Sequence, residues 1–298
     1  MTKTIDTLVS DIYEVVNGSG GWEATITEYM SSEMSDILKS RLEDERGERE
    51  PTLRMSGLGT PCLRKIWYGI NSTNATEALH PTARLKFLYG DILEILLISL
   101  AMAAGHRVEG CQDELTIRGI KGHRDCVIDG VTVDVKSASP FSFKKFRDGA
   151  LRSDDPFGYI SQLSSYVYAG RDGEVPTHPT RGAFLVIDKV SGALCLDEYD
   201  FTAEVESKER DVQHVIDTCS AGTPMPPRGF SAIPDGYKNK AKEFVFNGNE
   251  KLGINCSYCE RKAECWPGLR TFMYKNFDGY RPAYFTKVVK EPNVLEVT

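Results

Sequence analysis

The stretch that decides the fold is Gly122-His-Arg-Asp-Cys-Val-Ile-Asp-Gly-Val-Thr-Val-Asp-Val-Lys-Ser137. At its centre, Asp129-Gly130 predicts a two-residue hairpin turn, because both central positions of a type I′ turn need a positive φ. That turn would place Asp125 directly opposite Asp134. Nearer the turn it would pair Ile128 with Val131, Val127 with Thr132 and Cys126 with Val133.

The two faces of this hairpin differ in chemistry, since successive side chains point to opposite faces of a strand. One face carries Asp125, Asp134 and Lys136, whereas the other is apolar from Cys126 to Val135. Like charges directly opposite each other destabilise a sheet, but two carboxylates can share a hard cation that prefers oxygen ligands. The register therefore favours a metal site, and the alternative is a solvated hairpin whose polar residues face water.

A third carboxylate, Glu94, lies in the clearest helical segment, residues 82–104, with apolar residues on nearly every side. Burying an unpaired carboxylate is costly. Glu94 therefore needs a partner, which could be a metal, a lysine or a hydrogen-bond donor. Gly90, one turn earlier, would let a second backbone or a ligand come close.

A second helical segment, about 156–169, carries Gln162 and Tyr166 four residues apart and hence on one face. The pair could bind a nucleic-acid strand or be structural. Before this helix, the basic stretch from Ser142 to Arg152 includes Lys144 and Lys145. These lysines either contact phosphates or belong to a solvated loop.

The last three cysteines form a ligand cluster, Cys256-x-x-Cys259-x5-Cys265, in a region rich in glycine and proline. In such a region a bound metal can replace a missing core. Three cysteines leave a cluster one ligand short, and Cys62 is the best fourth. We expect the other four cysteines to be buried packing residues: Cys111, Cys126, Cys195 and Cys219.

Composition limits the class of protein. The chain has 298 residues, 41% of them hydrophobic, which suits one large domain or two small ones. It shows no secretory signal and no apolar run long enough to cross a bilayer, so we expect a cytoplasmic protein without a membrane partner. A net charge of −7 argues against a nonspecific coat for nucleic acid, but not against a nuclease with a carboxylate-rich site.

The order of elements predicts one mixed α/β domain. We expect a helical N-terminal segment at 1–50, the main domain at 51–275, and a C-terminal tail at 276–298. An irregular lobe clamped by the cysteines would join the N- and C-terminal parts. Strands are predicted at 106–118, 123–128, 131–137, 181–188 and 193–201, and further helices at 5–16, 31–46 and 202–219.

Over about residues 56–170, four short motifs in order resemble the motif series of RecB-like PD-(D/E)XK nucleases. They are Gly90…Glu94, Gly122-x-x-Asp125, Asp134-x-Lys136 and Gln162-x-x-x-Tyr166. Each motif is short, and the resemblance is specific because all four occur in this order at compatible spacings. Arg124 stands where the family name has proline, and Glu94 where many relatives have histidine, both within the family's usual variation.

This resemblance implies a restriction-endonuclease-like mixed sheet flanked by helices and a phosphodiester hydrolase. Lys136 would position or deprotonate the attacking water, and Gln162 and Tyr166 would orient the DNA strand. The ligands of Mg²⁺ or Mn²⁺ would be Glu94, Asp125, Asp134 and the backbone carbonyl of Val135.

The cysteines resemble those of AddB-type and CRISPR-associated RecB-like nucleases. In those proteins an isolated upstream cysteine and three C-terminal cysteines bind a structural [4Fe–4S] cluster. Here the set would be Cys62, Cys256, Cys259 and Cys265. Zinc is the main alternative, since a site of four cysteines suits it equally well.

We therefore expect a metal-dependent deoxyribonuclease of recombination, repair or replication, most simply an exonuclease on single-stranded DNA or DNA ends, of phage or bacterial type. The sequence has no helicase motif, so a helicase or a recombination protein is an expected partner. Two alternatives stay open. One is a catalytically silent nucleic-acid-binding or scaffolding protein of the same fold, and the other is a redox-responsive regulator whose cluster senses and whose nuclease responds.

Overall fold

A computed structural model describes residues 3–18, 22–42, 51–74, 81–276 and 279–297. The chain divides into two compact units, of which unit 1 comprises Met1–Thr60 and Leu79–Asp217. Unit 2 comprises Pro61–Ala78 and Thr218–Thr298. Both contain helices and strands, so the chain is mixed α/β, as the sequence predicts. No helix in the described part of the chain is long and apolar enough to cross a membrane.

The helices, in chain order, are α1 Leu8–Asn17, α2 Ala24–Leu42, α3 Met55–Leu58, α4 Leu63–Asn71, α5 Pro81–Ala103, α6 Pro140–Arg147, α7 Tyr159–Gly170, α8 Thr202–Cys219, α9 Ile254–Ser257 and α10 Lys262–Cys265. The strands are β1 Val108–Glu109, β2 Glu114–Ile117, β3 Ile120–His123, β4 Cys126–Ile128, β5 Val131–Ala138, β6 Arg181–Asp188, β7 Leu194–Asp200, β8 Ile233–Lys238, β9 Phe244–Lys251, β10 Arg270–Asn276, β11 Gly279–Lys287 and β12 Leu295–Val297.

The main sheet of unit 1 has the strand order β1-β4-β5-β6-β7. Strands β5 and β6 are parallel, and the other neighbours are antiparallel. Helices cover both faces. On one face the core joins α1 and α5 to Val133 and Leu185, and on the other it joins α6 and α7 to Phe184 and Val186. A strand buried on both faces suits the near-continuous apolar sequence of β6, Arg181–Asp188.

Helix α5 follows from its sequence almost residue for residue. Its long apolar run buries one side against α1 and β5. The helix ends where Gly105 takes a φ of +80°. There the N–H of Gly105 donates to Met102 O at 2.8 Å, and the N–H of His106 donates to Ala101 O at 3.1 Å. This left-handed glycine cap is the stop signal that the sequence contains.

Two local predictions in unit 1 need correction. Helix α2 begins at Ala24 rather than near residue 31, and residues 43–46 of the predicted helix lie outside the described residues. The polar, basic stretch from Ser142 to Arg152, for which no regular structure was predicted, begins inside helix α6. The sequence contains the signal for this helix start. Ser139 caps the helix by accepting a hydrogen bond from the N–H of Ser142 at 3.3 Å, and Pro140 suits the first turn.

In unit 2 the structure corrects the expectation of an irregular lobe. Strands β8 to β12 form a five-stranded antiparallel sheet in the order β12-β10-β11-β9-β8. The proposed boundary at 275 falls inside β10, and the supposed tail supplies β11 and β12. These strands contain proline, glycine and asparagine, which disfavour strands locally. Consecutive strands pair in β8–β9 and β10–β11, and the longer-range pairings of β9 with β11 and β10 with β12 complete the sheet in spite of that composition.

Candidate active site

The hairpin of β4 and β5 has the predicted turn and register. Asp129 and Gly130 have φ values of +50° and +82°. The ladder pairs Cys126 with Val133, Val127 with Thr132 and Ile128 with Val131. Just before β4, Asp125 Oδ2 accepts a hydrogen bond of 2.7 Å from the N–H of Val135. Its carboxylate therefore lies across from the strand segment that carries Asp134.

The polar face of this hairpin is not solvated. Asp134 is only 2% exposed and Thr132 only 1%, because α7 packs over this face of β5. The apolar face lies in the core with α5, as predicted. Burial on both sides excludes the alternative of a water-facing hairpin.

Lys136 is held by a carboxylate and an aromatic ring. Its Nζ forms an ion pair with Asp134 Oδ2 and lies 5.4 Å from the centre of the Tyr159 ring. Burial by itself would lower the pKa of Lys136, but the charges of Asp134 and Asp125 outweigh burial and raise it. Lys136 is therefore a stable cation in this structure.

Glu94 reaches the same group of charges from α5. Gln112 Nε2 donates to Glu94 Oε1 at 2.9 Å, and the backbone N–H of Gln112 donates to Asp125 O at 3.1 Å. Gln112 has a φ of +56°, in the left-handed region that non-glycine residues seldom adopt. This strained residue thus connects the helix that carries Glu94 to the start of β4.

The carboxylates influence one another's pKa. Burial first, then the charge of Asp125, raises the pKa of Glu94 to about 8. Burial first, then the charge of Asp134, raises the pKa of Asp125 to about 7. Lys136 opposes both shifts without cancelling them. The site therefore contains three acidic groups and one lysine, and the lysine alone does not balance the negative charge of three carboxylates.

The two α7 residues predicted to bind substrate also lie at this site. Gln162 forms a side-chain hydrogen bond with Tyr166, and burial raises the pKa of Tyr166 to about 12 despite that bond. The charges of Asp134 and Asp125 contribute to this raised pKa, and Lys136 opposes it. Gly122, in the predicted motif, leaves room for Met55 and Tyr166, since an added Cβ would lie 2.4 Å from Met55 Cβ and 3.2 Å from Tyr166 Cε1.

Two cavities flank the carboxylates within unit 1. One, of about 410 Å³, lies between α2 and α5 and is lined by Tyr29, Arg41, Glu94 and Gln112. At its edge, Arg41 Nε donates to Asp91 Oδ2 at 2.8 Å.

The second cavity, of about 190 Å³, lies on the Lys136 side and is also lined by Lys145, Lys189 and Phe157. Lys145 is held by an ion pair of 2.6 Å to Asp154. Of the two lysines that the sequence singled out, Lys145 therefore lies beside the site. Lys144 is exposed on α6 and does not line this cavity.

The carboxylates have the right chemistry for Mg²⁺ or Mn²⁺, which prefer oxygen ligands. Within the described ranges, however, no three histidine, cysteine, aspartate or glutamate side chains are gathered in an arrangement that would hold a metal ion. Each carboxylate instead has a protein partner: Gln112 for Glu94, the Val135 N–H for Asp125 and Lys136 for Asp134. Metal binding would exchange some of these partners for the cation.

Unit 2 brings together the four cysteines predicted to bind a cluster. Cys62, Cys256, Cys259 and Cys265 all line one small cavity of about 30 Å³, with no disulfide among them. An added Cβ on Gly229 would lie 3.1 Å from Cys62 Sγ, so a glycine is needed against this thiol. Four cysteines suit iron–sulfur or zinc equally, but among the described residues their thiols do not form a ready ligand group for a metal ion.

The other four cysteines are packed away from that cavity. Cys126, Cys195 and Cys219 are buried, as predicted. Cys111 is half-buried and lines the larger cavity of unit 1. Of the histidines, His123 contacts Gln112 O at 3.0 Å.

Sequence reasoning missed three residues of the site: Gln112, Tyr159 and Lys189. Nothing local marks Gln112, whose left-handed turn becomes visible only in the structure. Tyr159 begins the second motif helix, and its position over Lys136 depends on how α7 packs on β5. Lys189 follows β6, and its N–H donates to Ala138 O at 3.0 Å beside the end of β5. Only the parallel pairing of β5 and β6 brings it there.

No family model matches the sequence, and no curated protein matches it. Among solved structures, one titled "Crystal structure of SSO0001" has a TM-score of 0.39 and 18% identity, and the match covers 78% of this chain and 95% of that chain. A TM-score this low carries no argument about fold or activity.

Proposed function

We propose that unit 1 is a metal-dependent deoxyribonuclease domain of the PD-(D/E)XK type that hydrolyses phosphodiester bonds. The observation that carries the proposal is the convergence of Glu94, Asp125 and Asp134 with Lys136. They come from a helix, the start of one strand and the middle of the next. Burying three carboxylates around one lysine is unfavourable for a purely structural site, and a divalent cation would offset the excess negative charge.

The residues have separable roles in this reaction. A bound Mg²⁺ or Mn²⁺ would lower the pKa of a water and offset charge on the scissile phosphate. The ligands would be Glu94, Asp125 and Asp134, with the Val135 carbonyl as the predicted fourth. Lys136 would orient the attacking water and donate to the phosphate once released from Asp134. Gln112 would fix the position of Glu94.

The DNA strand of the substrate would be bound on either side of the three carboxylates. Gln162 and Tyr166 would orient the strand, as the resemblance implies, although Tyr166 is only 4% exposed. The cavity beside Lys136 combines the cations of Lys145 and Lys189 with the ring of Phe157. Lysines with an accessible aromatic ring suit a strand whose bases are unstacked, which supports single-stranded DNA or DNA ends as the substrate.

In unit 2, the four converging cysteines would hold a [4Fe–4S] cluster, with zinc as the alternative. Such a site would add folding free energy to a unit whose strands are rich in proline, glycine and polar residues. A redox role for the cluster is a separate prediction. It requires nuclease activity to differ between oxidised and reduced protein.

A second candidate is a nucleic-acid-binding or scaffolding protein with the same fold. The observation in its favour is that every carboxylate of the site already has a protein partner and that no ligand group is preformed in the described part of the chain. In that case Asp134 and Lys136 would be a structural ion pair.

One experiment separates the two candidates: degradation of end-labelled single- and double-stranded DNA with Mg²⁺ or Mn²⁺. We expect the wild type to cleave, Lys136→Ala to lose cleavage, and Lys121→Ala to retain it. Lys121 is a fair control because it is an exposed lysine of the same unit, paired with Glu114 at 2.7 Å. A folded, metal-loaded wild type that does not cleave would support the scaffold. Equal cleavage by Lys136→Ala would show that the active site is wrongly placed.

A further inference from the structure

The hairpin of β8 and β9 in unit 2 exposes an unusual set of side chains. Tyr237 is 61% exposed, Phe244 56% and Phe246 53%. Large aromatic side chains are normally buried for most of their area. Lys238, Lys240 and Lys242 lie between them in sequence, and all three are exposed.

Strand register places much of this set on one face. Lys238 pairs with Phe244, and Gly236 pairs with Phe246, so Lys238, Phe244 and Phe246 share a face. Gly236 is required there, because an added Cβ would lie 2.1 Å from the backbone oxygen of Val245 and 2.7 Å from Phe244 Cζ. The missing side chain lets the Phe244 ring lie across β8. The two phenylalanines are two residues apart on one strand, about 6.7 Å along the backbone.

The turn of the hairpin is fixed by its own hydrogen bonds. Asn239 N–H donates to Glu243 O at 2.9 Å, and Glu243 N–H donates to Asn239 Oδ1 at 3.0 Å. Lys242 within this turn has a φ of +64°. Glycine or asparagine adopts that conformation at lower cost. The lysine therefore does not serve the turn, and its charge needs another reason.

The charges of the hairpin are available to a ligand. None of its three lysines is ion-paired with a residue that the structure describes. The one acidic neighbour in the turn, Glu243, instead accepts from Asn239 Nδ2 at 3.0 Å. A locally basic aromatic surface thus stands out on a chain whose net charge is −7.

We propose that this hairpin is a nucleic-acid-binding surface, separate from the carboxylate site, that takes single-stranded nucleic acid. The bases would stack on Phe244 and Phe246, and the phosphates would contact Lys238, Lys240 and Lys242. Accessible rings next to unpaired lysines are the combination that binds unpaired strands without sequence preference. A duplex would offer phosphates to the lysines but no base faces to the rings. The proposal goes beyond the proposed nuclease, because binding here needs neither the carboxylates nor cleavage.

The test is fluorescence anisotropy of a labelled oligodeoxythymidine with the full-length chain and no added divalent cation. We expect Phe244→Ser/Phe246→Ser to weaken binding about tenfold for each stacked base that is lost. Lys240→Gln should reduce the slope of log Kd against log salt by about 0.7, the contribution of one phosphate contact in a single strand. Lys290→Gln is the matched control, since Lys290 is an exposed lysine at the far end of β9, where its carbonyl accepts from Asn249.

A further variant separates binding from folding. Lys242→Gly relieves the backbone strain, so we expect it to keep or raise the unfolding temperature while it weakens oligonucleotide binding. A purely structural hairpin would show no loss of affinity in this variant. Unchanged affinity in the phenylalanine double variant, or an equal loss in Lys290→Gln, would overturn the proposal.

Two further measurements decide the ligand and the independence of the site. Duplex DNA or poly-glutamate binding as tightly as oligodeoxythymidine would overturn the proposal in favour of a general anion or acidic-protein surface. Hairpin variants should still cleave a short end-labelled oligonucleotide at the wild-type kcat. If no protein cleaves and only the hairpin variants lose binding, the proposed nuclease fails and this inference stands.

Discussion

The ion pair between Lys136 and Asp134 gives the sharpest test of the candidate site, through the variant Lys136→Met. Asp134 is 2% exposed, so the substitution leaves a buried carboxylate without its cation. Removing one partner of a buried pair costs about 3–5 kcal/mol. The Lys136 side chain is 23% exposed, so partial solvation should reduce the loss of unfolding free energy to about 2–3 kcal/mol.

The assay is chemical denaturation without added divalent cation, followed by circular dichroism. The double variant Asp134→Asn/Lys136→Met removes both charges. It should return to within about 1 kcal/mol of the wild type, yet stay inactive. Lys121→Met removes a surface lysine and should cost at most about 1 kcal/mol.

Metal ions add a second measurement on the same proteins. A cation that binds only the folded site stabilises it by about 2.7 kcal/mol at one hundred times its Kd. Mg²⁺ or Mn²⁺ should therefore stabilise both the wild type and Lys136→Met, and the double variant less, because it lacks the Asp134 ligand. The reasoning is refuted if Lys136→Met unfolds at the same denaturant concentration as Lys121→Met, or if saturating metal stabilises none of these proteins.

Three further predictions concern other groups. Gln112→Gly should relieve a strained backbone and keep the unfolding temperature within a few degrees, while lowering kcat at least tenfold because Glu94 loses its donor; unchanged kcat would show that Gln112 is only structural. Lys208→Met should stabilise unit 1 by about 2 kcal/mol at pH 7 and by almost nothing near pH 10, as measured by denaturation across that range; a pH-independent difference would contradict it. Cys62→Ser should lose most of the bound iron or zinc by elemental analysis and lower the unfolding temperature, whereas Cys195→Ser should retain the metal.

The pH dependence of Lys208 follows from its burial. Lys208 is 4% exposed, its Nζ donates to Ser164 Oγ at 2.7 Å, and burial lowers its pKa from 10.5 to about 8. A folded-state pKa below the unfolded value means that protonation favours unfolding. The charged lysine therefore destabilises the fold below about pH 8, and this cost disappears as the pH rises from about 8 towards 10.5. A pKa lowered by 2.5 corresponds to a destabilisation of about 3 kcal/mol. In Lys208→Met the loss of the hydrogen bond to Ser164 costs about 1 kcal/mol, which leaves a net stabilisation of about 2 kcal/mol.

Local patterns predicted the centre of unit 1 well. Asp129-Gly130 specified the turn, and alternation then specified which residues face the core and which face the site. The register followed because a shift of one residue would have placed Val133 and Val135 on the polar face. Helix α5 was predicted equally well, since its apolar run and the glycine cap at Gly105 both indicate where the helix lies and where it ends.

What the sequence determined by itself was therefore the part governed by neighbours along the chain: the hairpin, the long helix, and the charge pattern of Asp125, Asp134 and Lys136. The tertiary structure decided what depends on distant partners. Packing of α7 on β5 buried Asp134 and set Tyr159 over Lys136, and the left-handed turn at Gln112 connected Glu94 to Asp125. In unit 2, the pairings of β9 with β11 and of β10 with β12 join strands that are not consecutive in the chain, because their backbone hydrogen bonds are gained only once those strands meet.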